Sequence, residues 1–238
     1  MTDARSQLAP TGVLRAAINL SNFLLVTGRT AEGDPVGVAP DMARAVADRL
    51  GVPVRYVTYP RPGELADAAG TDAWDIGLIG AEPQRAERIA FTAPYCEIEA
   101  TFLLPAASGA TSLADLDRPG IRIAVAERSA YDLWLTRNLR HATLHRAASI
   151  DASFKLFADG GHDALAGLRP RLLSDAEALP GTRVLDDRFT AVQQAIGTAR
   201  TNAAGAAFLE GFVAEAKSSG LVAALIARHG VRGLSVAA

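Results

Sequence analysis

Arg85 lies in the stretch WDIGLIGAEPQRAERIAFTAPY, residues 74–95, beyond an apolar run and near the start of a short helical pattern. Its guanidinium offers a planar fork of N–H donors that matches both oxygens of a carboxylate. A strand-to-helix turn that holds this fork at a cleft edge, assisted by helix amides, suits a carboxylate-bearing solute. The competing reading is a surface arginine paired with Glu82 or Glu87. Arg88 falls on the wrong side of the helix and reads as solvated. A second candidate corner is Ser129, which follows Glu127 and Arg128 and opens a helical segment containing Ala130 and Tyr131. Free amides at a helix start bind anions, and a serine there also serves as an ordinary N-cap beside a packed tyrosine.

Few other side chains invite chemistry. Glu97 and Glu99 alternate on one strand and could suggest acid–base work. Carboxylates so placed more often satisfy amides or pair with arginine, so no catalytic residue is assigned. Cys96 is the single cysteine, which excludes an internal disulfide and any multi-cysteine metal site. It reads as a small buried residue. His141 and His145 have i,i+4 spacing, but the chain between them leaves a helix and enters a strand. There is no G-x-S-x-G elbow, phosphate loop or dinucleotide fingerprint, and neither a metal nor a cofactor is expected.

These residues need a scaffold, and 238 residues that are 49% hydrophobic can build one large domain or two small lobes. A formal charge of −2 and a pI near 6.1 give no footprint for nucleic acid or an anionic membrane. No run approaches the roughly 20 apolar residues of a membrane span. The opening residues carry no secretory pattern, so the chain as written is expected to be cytoplasmic, or periplasmic if a leader has been removed.

Short apolar runs alternate with longer helical patterns, which points to an α/β protein. Strands are expected at 12–19, 52–59, 74–80, 98–105, 122–127, 142–148, 162–168, 182–187 and 192–199. Helices are expected at 40–51, with Pro40 at its start and Gly51 at its stop, and at 64–69, 129–139 and 151–160. The segment 201–230 reads as helical with a break at Ser218–Gly220. Residues 106–120 are small and turn-forming.

Taken together, four motifs resemble the family-3 solute-binding proteins, bilobal receptors best known for capturing amino acids. They are the opening GVLR, the stretch GVAPDMARAVADRLG, the segment WDIG…R…FTAPY, and RIAV followed by a helix starting at Ser129. The resemblance covers nearly the full length. It implies a two-lobed α/β architecture of the periplasmic-binding-protein-like type II kind, each lobe a mixed sheet flanked by helices and joined by two hinge strands. Lobe 1 would comprise residues 1–104 and 196–238, and lobe 2 residues 105–195, with hinge motion at 98–105 and 192–199.

The same resemblance implies a ligand-binding set. Arg85 grips the solute's α-carboxylate, and the Ser129–Ala130–Tyr131 turn closes over it from lobe 2. Asn19 and Asn22 follow the first strand. The loop from Gly77 to Glu82, with Gly80 and Glu82, faces the cleft, and Gln193 and Gln194 lie where the second hinge strand returns.

Three departures stand out. Arg128 replaces a glycine. Leu78, Ile79, Gly80 and Ala81 stand where hydroxyl side chains are common. Leu168-Arg169-Pro170 occupies the place of an aspartate that pairs with an ammonium. Arg169 would repel an ammonium and attract a second anion. The expected ligand is therefore a small anionic solute, a plain carboxylate, dicarboxylate or acidic aromatic before a standard amino acid.

The implied partner is an ABC transporter permease, and the chain is expected to be a monomer or weak dimer. A cytoplasmic dehydratase or lyase acting on an organic acid on the same scaffold is the alternative. A sensor domain is disfavoured, since the chain has room for neither a helix-turn-helix nor a kinase segment.

Overall fold

In the computed structural model, which describes residues 2–238, the short apolar runs become strands and the 3.6-residue patterns become helices. The chain opens with α1 (Thr2–Leu8), where no helix was expected, and then β1 (Leu14–Asn19). A two-stranded ribbon, β2 (Gly28–Arg29) and β3 (Pro35–Val36), leads into α2 (Val38–Leu50). That helix starts two residues before Pro40, because a proline in the first turn gives up no intrahelical bond. Gly37 at its N-cap is obligatory: a Cβ there would lie 2.2 Å from the Leu25 carbonyl oxygen. The segment continues with β4 (Val54–Tyr59), α3 (Pro62–Asp67), β5 (Ile76–Gly80), α4 (Pro83–Ala86) and β6 (Ile89–Phe91).

The middle of the chain carries β7 (Cys96–Pro105), α5 (Leu113–Leu116), β8 (Arg122–Ala126), α6 (Ala130–Asn138), β9 (Thr143–Ala147) and α7 (Ile150–Ala158). Then come β10 (Ala164–Leu168), α8 (Arg169–Ala178) and β11 (Thr182–Val184). The helix α8 was not anticipated. Its second residue is Pro170, which reads as a helix breaker in sequence but is tolerated in a first turn. The chain ends with β12 (Thr190–Ala199), α9 (Ala203–Ser218), α10 (Leu221–Arg228) and β13 (Ser235–Val236). The helix break falls at Gly220, whose φ of 79° is readily reached by glycine.

Two compact units divide the chain, Met1–Glu97 with Gln193–Ala238, and Ile98–Val192. In the first unit, β1 pairs in parallel with both β4 and β5, while β12 runs antiparallel to β5 and β6. One face of this sheet buries Ala17, Leu65, Trp74, Ile79 and Ile89 together. Gly197 on β12 permits the close β6 contact, since a Cβ would sit 2.2 Å from Ile89 Cγ2. Helix α1 docks on α9: Leu8 is fully buried against Gly205, and the Gly205 amide donates to Gln7 Oε1 at 2.9 Å.

In the second unit the order is β7-β10-β8-β9, antiparallel between β7 and β10 and parallel thereafter, with β11 antiparallel to β7. Leu103, Ala124, Phe157, Leu165 and Leu172 form its core. Each unit carries a strand that is buried along its whole length, β5 in the first and β10 in the second, as helix-covered strands require.

Candidate functional site

The first corner lies at the carboxyl ends of β1 and β5, the edge where open α/β sheets commonly bind ligands. All five residues of β5 are buried, so the strand is fixed up to Gly80. Gly80 stands in register with Gln194 on β12, and the Ala81 amide donates to the Gln193 carbonyl at 2.7 Å. The chain then extends through Glu82 (φ −134°, ψ 143°) and turns into α4.

Arg85 is only 5% exposed, and its Nη1 donates to the Gly80 carbonyl oxygen at 2.7 Å. Arg85 is therefore not a solvated surface residue. Burying a guanidinium is costly unless its donors are met, and the Gly80 bond orients the fork against the end of its own strand. Glu87 and Arg88 are exposed. The expected help from helix amides is corrected by the geometry. Helix α4 has four residues, and the Arg85 and Ala86 amides already donate to the Glu82 carbonyl, each at 2.9 Å. These two amides are therefore engaged within the turn. Glu82 is itself buried, 8% exposed, and its carboxylate does not cap α4.

The neighbouring loop residues spend part of their polarity locally. Asn19 Oδ1 accepts from the Ser21 amide at 3.2 Å and the Ser21 hydroxyl at 2.8 Å. Asn22 is buried, and its Oδ1 accepts from the Leu24 amide at 3.2 Å. Both therefore act as turn formers, and each keeps its amide NH2. Gln194 is buried on β12, with its carbonyl accepting from the Tyr95 amide at 2.9 Å. Leu78 and Ile79 are buried strand residues, so they fill the core where a ligand-facing loop was expected.

The second corner belongs to the other unit. Strand β8 ends at Ala126, and Arg128 adopts φ 58°, a left-handed conformation that glycine reaches without strain. Ser129 is the N-cap of α6: its Oγ accepts from the Asp132 amide at 3.1 Å and donates to the Ala126 carbonyl at 2.8 Å. Asp132 Oδ2 accepts from the Arg128 amide at 2.7 Å, and its Oδ1 accepts from Arg146 Nε at 2.9 Å. Asp132 is 2% exposed, so these bonds compensate a buried charge. Ala130 and Tyr131 are buried as well. Burial pushes the Tyr131 phenol up to about 12, against a hydrogen bond with Ser129 that lowers it.

Arg169 departs from its expected role. Its Nε donates to Glu99 Oε2 at 2.6 Å, its Nη1 to the Leu185 carbonyl at 3.0 Å and its Nη2 to the Asp186 carbonyl at 2.8 Å. Its charge is matched by Glu99 and its fork is folded onto the 185–186 backbone, which leaves it poorly placed to draw in a second anion. Glu97 accepts from Gln193 Nε2 at 2.8 Å, and Glu99 also meets Arg188 Nη1 at 3.2 Å, so both carboxylates hold structural partners. Among the described residues no group of three potential metal ligands gathers. His145 is bonded to His162, at 2.9 Å, and not to His141.

Three participants escaped the sequence reading. Asp132 was legible in principle, because Ser129-x-x-Asp132 is a capping pattern. The Glu99–Arg169 pair spans 70 positions and left no local signal. Asp175, 4% exposed on α8 and held by Arg171 Nε at 2.8 Å, fell in a helix that was not expected, and burial pushes its carboxyl up.

Comparison with known proteins follows this geometry. Residues 22–231 match the model for bacterial extracellular solute-binding proteins, family 3. No curated protein matches the chain. Among solved structures it is similar to the P235GK mutant of ArgBP from T. maritima, at 19% identity and TM-score 0.76, covering 96% of this chain and 100% of that one. It is similar to an amino acid ABC transporter substrate-binding protein from Streptococcus pneumoniae Canada MDR_19A bound to L-arginine, at 20% identity and TM-score 0.75, covering 98% and 99%. The ancestral amino acid-binding protein AncCDT-1, a precursor of cyclohexadienyl dehydratase, matches at 20% identity and TM-score 0.76, covering 94% and 97%. At these identities the likeness establishes the fold, an α/β architecture of the periplasmic-binding-protein-like type II kind.

Proposed function

The chain belongs to the bacterial extracellular solute-binding proteins of family 3, and we propose that it captures a small solute by a carboxylate held on Arg85. The observation that carries this reading is a buried guanidinium anchored to the end of β5. A fork fixed in this way loses little entropy on binding, which favours the planar, bidentate geometry of a carboxylate. Gly80 supplies the carbonyl that holds it, and Asn19, Asn22 and Gln194 are the further ligand-binding candidates of this unit. In the other unit the turn at Ser129, Ala130 and Tyr131 contributes backbone and shape more than side-chain hydroxyl, because Ser129 Oγ is engaged in the cap.

Solute capture with closure at the strands that link the two units is the corresponding action, and an ABC transporter permease is the corresponding partner. The extracellular designation of the family supports the periplasmic alternative over the cytoplasmic one. No described helix is long and apolar enough to cross a membrane.

The test is a melting-shift panel of carboxylates and amino acids, followed by calorimetric titration of the best binder. Arg85→Ala is expected to weaken that ligand on the order of 100-fold, the loss of a charge-assisted bidentate contact. Product formation during incubation would favour the dehydratase reading. Unchanged affinity in a folded Arg85→Ala protein would refute the clamp.

A further inference from the structure

We propose that the groove between α10 and the C-terminal segment is a second binding site, which takes a free alkanoate by its aliphatic chain and its carboxylate. It lies wholly within the first unit and is independent of the Arg85 reading.

One wall of the groove is a helix with no polar face along most of its length. Residues 221–227 are apolar without interruption, whereas a surface helix normally turns a charged side to water. Val222 and Leu225 are buried on the inner side. Ala223, Ile226 and Ala227, spaced i, i+3 and i+4, share another side, on which Ala223 and Ala227 are exposed. Contiguous apolar surface of this kind marks ligand grooves and contact sites.

The other wall is chain that doubles back from the helix. Gly230 and Gly233 take φ of 61° and 81°, and β13 then pairs antiparallel with β7, Ser235 beside Glu97 and Val236 beside Cys96. Val231, Leu234 and Val236 thereby line the groove with α10, around a volume of about 430 Å³ that lies within the range of small-molecule pockets. Val236 is one of three large apolar side chains left exposed among the described residues.

Charge selects the occupant. Among the described residues, Arg232 is the one charged residue lining the groove; it is exposed and makes no ion pair. Asp41 does not serve it, since Arg228 Nη1 lies 3.5 Å and His229 Nε2 2.8 Å from the Asp41 carboxylate. An apolar trough with a single unmatched cation is complementary to an amphiphile with one negative head. The groove is concave and open along its length, so it admits one linear chain. A bilayer is a poorer match: α10 carries one basic residue, Arg228, and lacks the basic face of a helix that lies on anionic lipid.

The experiment titrates hexanoate, octanoate and decanoate calorimetrically into the full chain below their micelle concentrations. Decyl sulfonate, decanol and decyltrimethylammonium serve as anionic, neutral and cationic comparisons. Saturable binding is expected, tightening about two- to fourfold for each added methylene that enters the groove. Decyl sulfonate should bind as decanoate does, and the neutral and cationic amphiphiles more weakly. Arg232→Gln should weaken decanoate about three- to fivefold and remove its dependence on salt, as expected for an exposed ion pair. Ala227→Glu sets a carboxylate at an exposed position of the lining and should weaken decanoate about tenfold or more. Arg85→Ala should leave decanoate unchanged, which separates this site from the clamp.

Absence of alkanoate binding, or binding that ignores chain length, overturns the proposal and leaves the Arg85 reading intact. Decanoate binding that disappears in Arg85→Ala overturns it too, because the carboxylate then sits at the end of β5. Equal affinity for the cationic amphiphile, or unchanged affinity in Arg232→Gln, would reduce the effect to apolar adsorption and count against the site. Self-association seen by sedimentation, abolished by Ala227→Glu and unaffected by decanoate, would assign the groove to a second copy of the chain instead. Binding to anionic vesicles with none to monomeric alkanoate would assign it to a bilayer.

Discussion

The two corners share one local plan, a buried strand, a turn and a helix start, yet they use it oppositely. At the end of β5 the helix is a single turn in which the Arg85 and Ala86 amides are satisfied by the Glu82 carbonyl, and the Arg85 side chain is buried against the end of its own strand. At the end of β8 the helix has nine residues, and its Ser129 and Asp132 side chains serve the backbone. Ser129 caps, Asp132 reaches back to the Arg128 amide, and Arg146 steadies Asp132. The difference teaches where specificity and rigidity reside. On the proposed reading the first corner recognises through a side chain supported from behind; the second builds a helix entry whose hydroxyl and carboxylate are already occupied.

If that division is right, substitutions at the second corner should cost stability more than affinity. Asp132→Ala removes a buried carboxylate that meets two donors, and a loss of about 2–4 kcal/mol is expected in denaturant unfolding, from unpairing Arg146 and the Arg128 amide. Tyr131 offers a pH test of the same corner. Its folded pKa is raised to about 12 from 10, so its contribution is fully present below pH 10 and is lost as pH rises through about 12. The size is about 3 kcal/mol by linkage for a fully buried group. Spectrophotometric titration should show a tyrosine ionising near 12 that is missing in Tyr131→Phe, and Tyr131→Phe should flatten the loss of stability over that range.

Ser129→Ala should lower stability by about 1 kcal/mol, the usual worth of an N-cap, as a small drop in melting temperature. The gentlest prediction has the opposite sign. Arg128→Gly should stabilise by about 0.5–1 kcal/mol, because glycine accepts φ near 58° without the penalty paid by a side chain. A destabilised Arg128→Gly would mean that the arginine side chain repays its strain.

Much of this architecture was legible before any coordinates. The β5–α4 segment announced itself because its strand is apolar on both faces and Pro83-Gln84-Arg85 begins a turn of helix. The break at Gly220 was visible as a glycine within a helical pattern. Two things were hidden. Helix α8 was masked by Pro170, whose meaning depends on whether it falls in the first turn or later. The neutralisation of Arg169 was masked by distance, since Glu99 lies 70 residues earlier and meets it only through strand pairing between β7 and β10. Local sequence names the residues of a charged site; the sum of their charges depends on contacts that local sequence does not carry.

The most direct test sets the two corners against each other with one ligand. Calorimetric titration of the tightest carboxylate from the panel is carried out on the wild type, Arg85→Lys and Ser129→Ala. Lysine keeps the charge but not the fork, so Arg85→Lys should lose about tenfold or more in affinity, while Ser129→Ala should lose less than about threefold. A Ser129→Ala protein that loses as much as Arg85→Lys, with its fold intact, would contradict the assignment of recognition to the arginine corner.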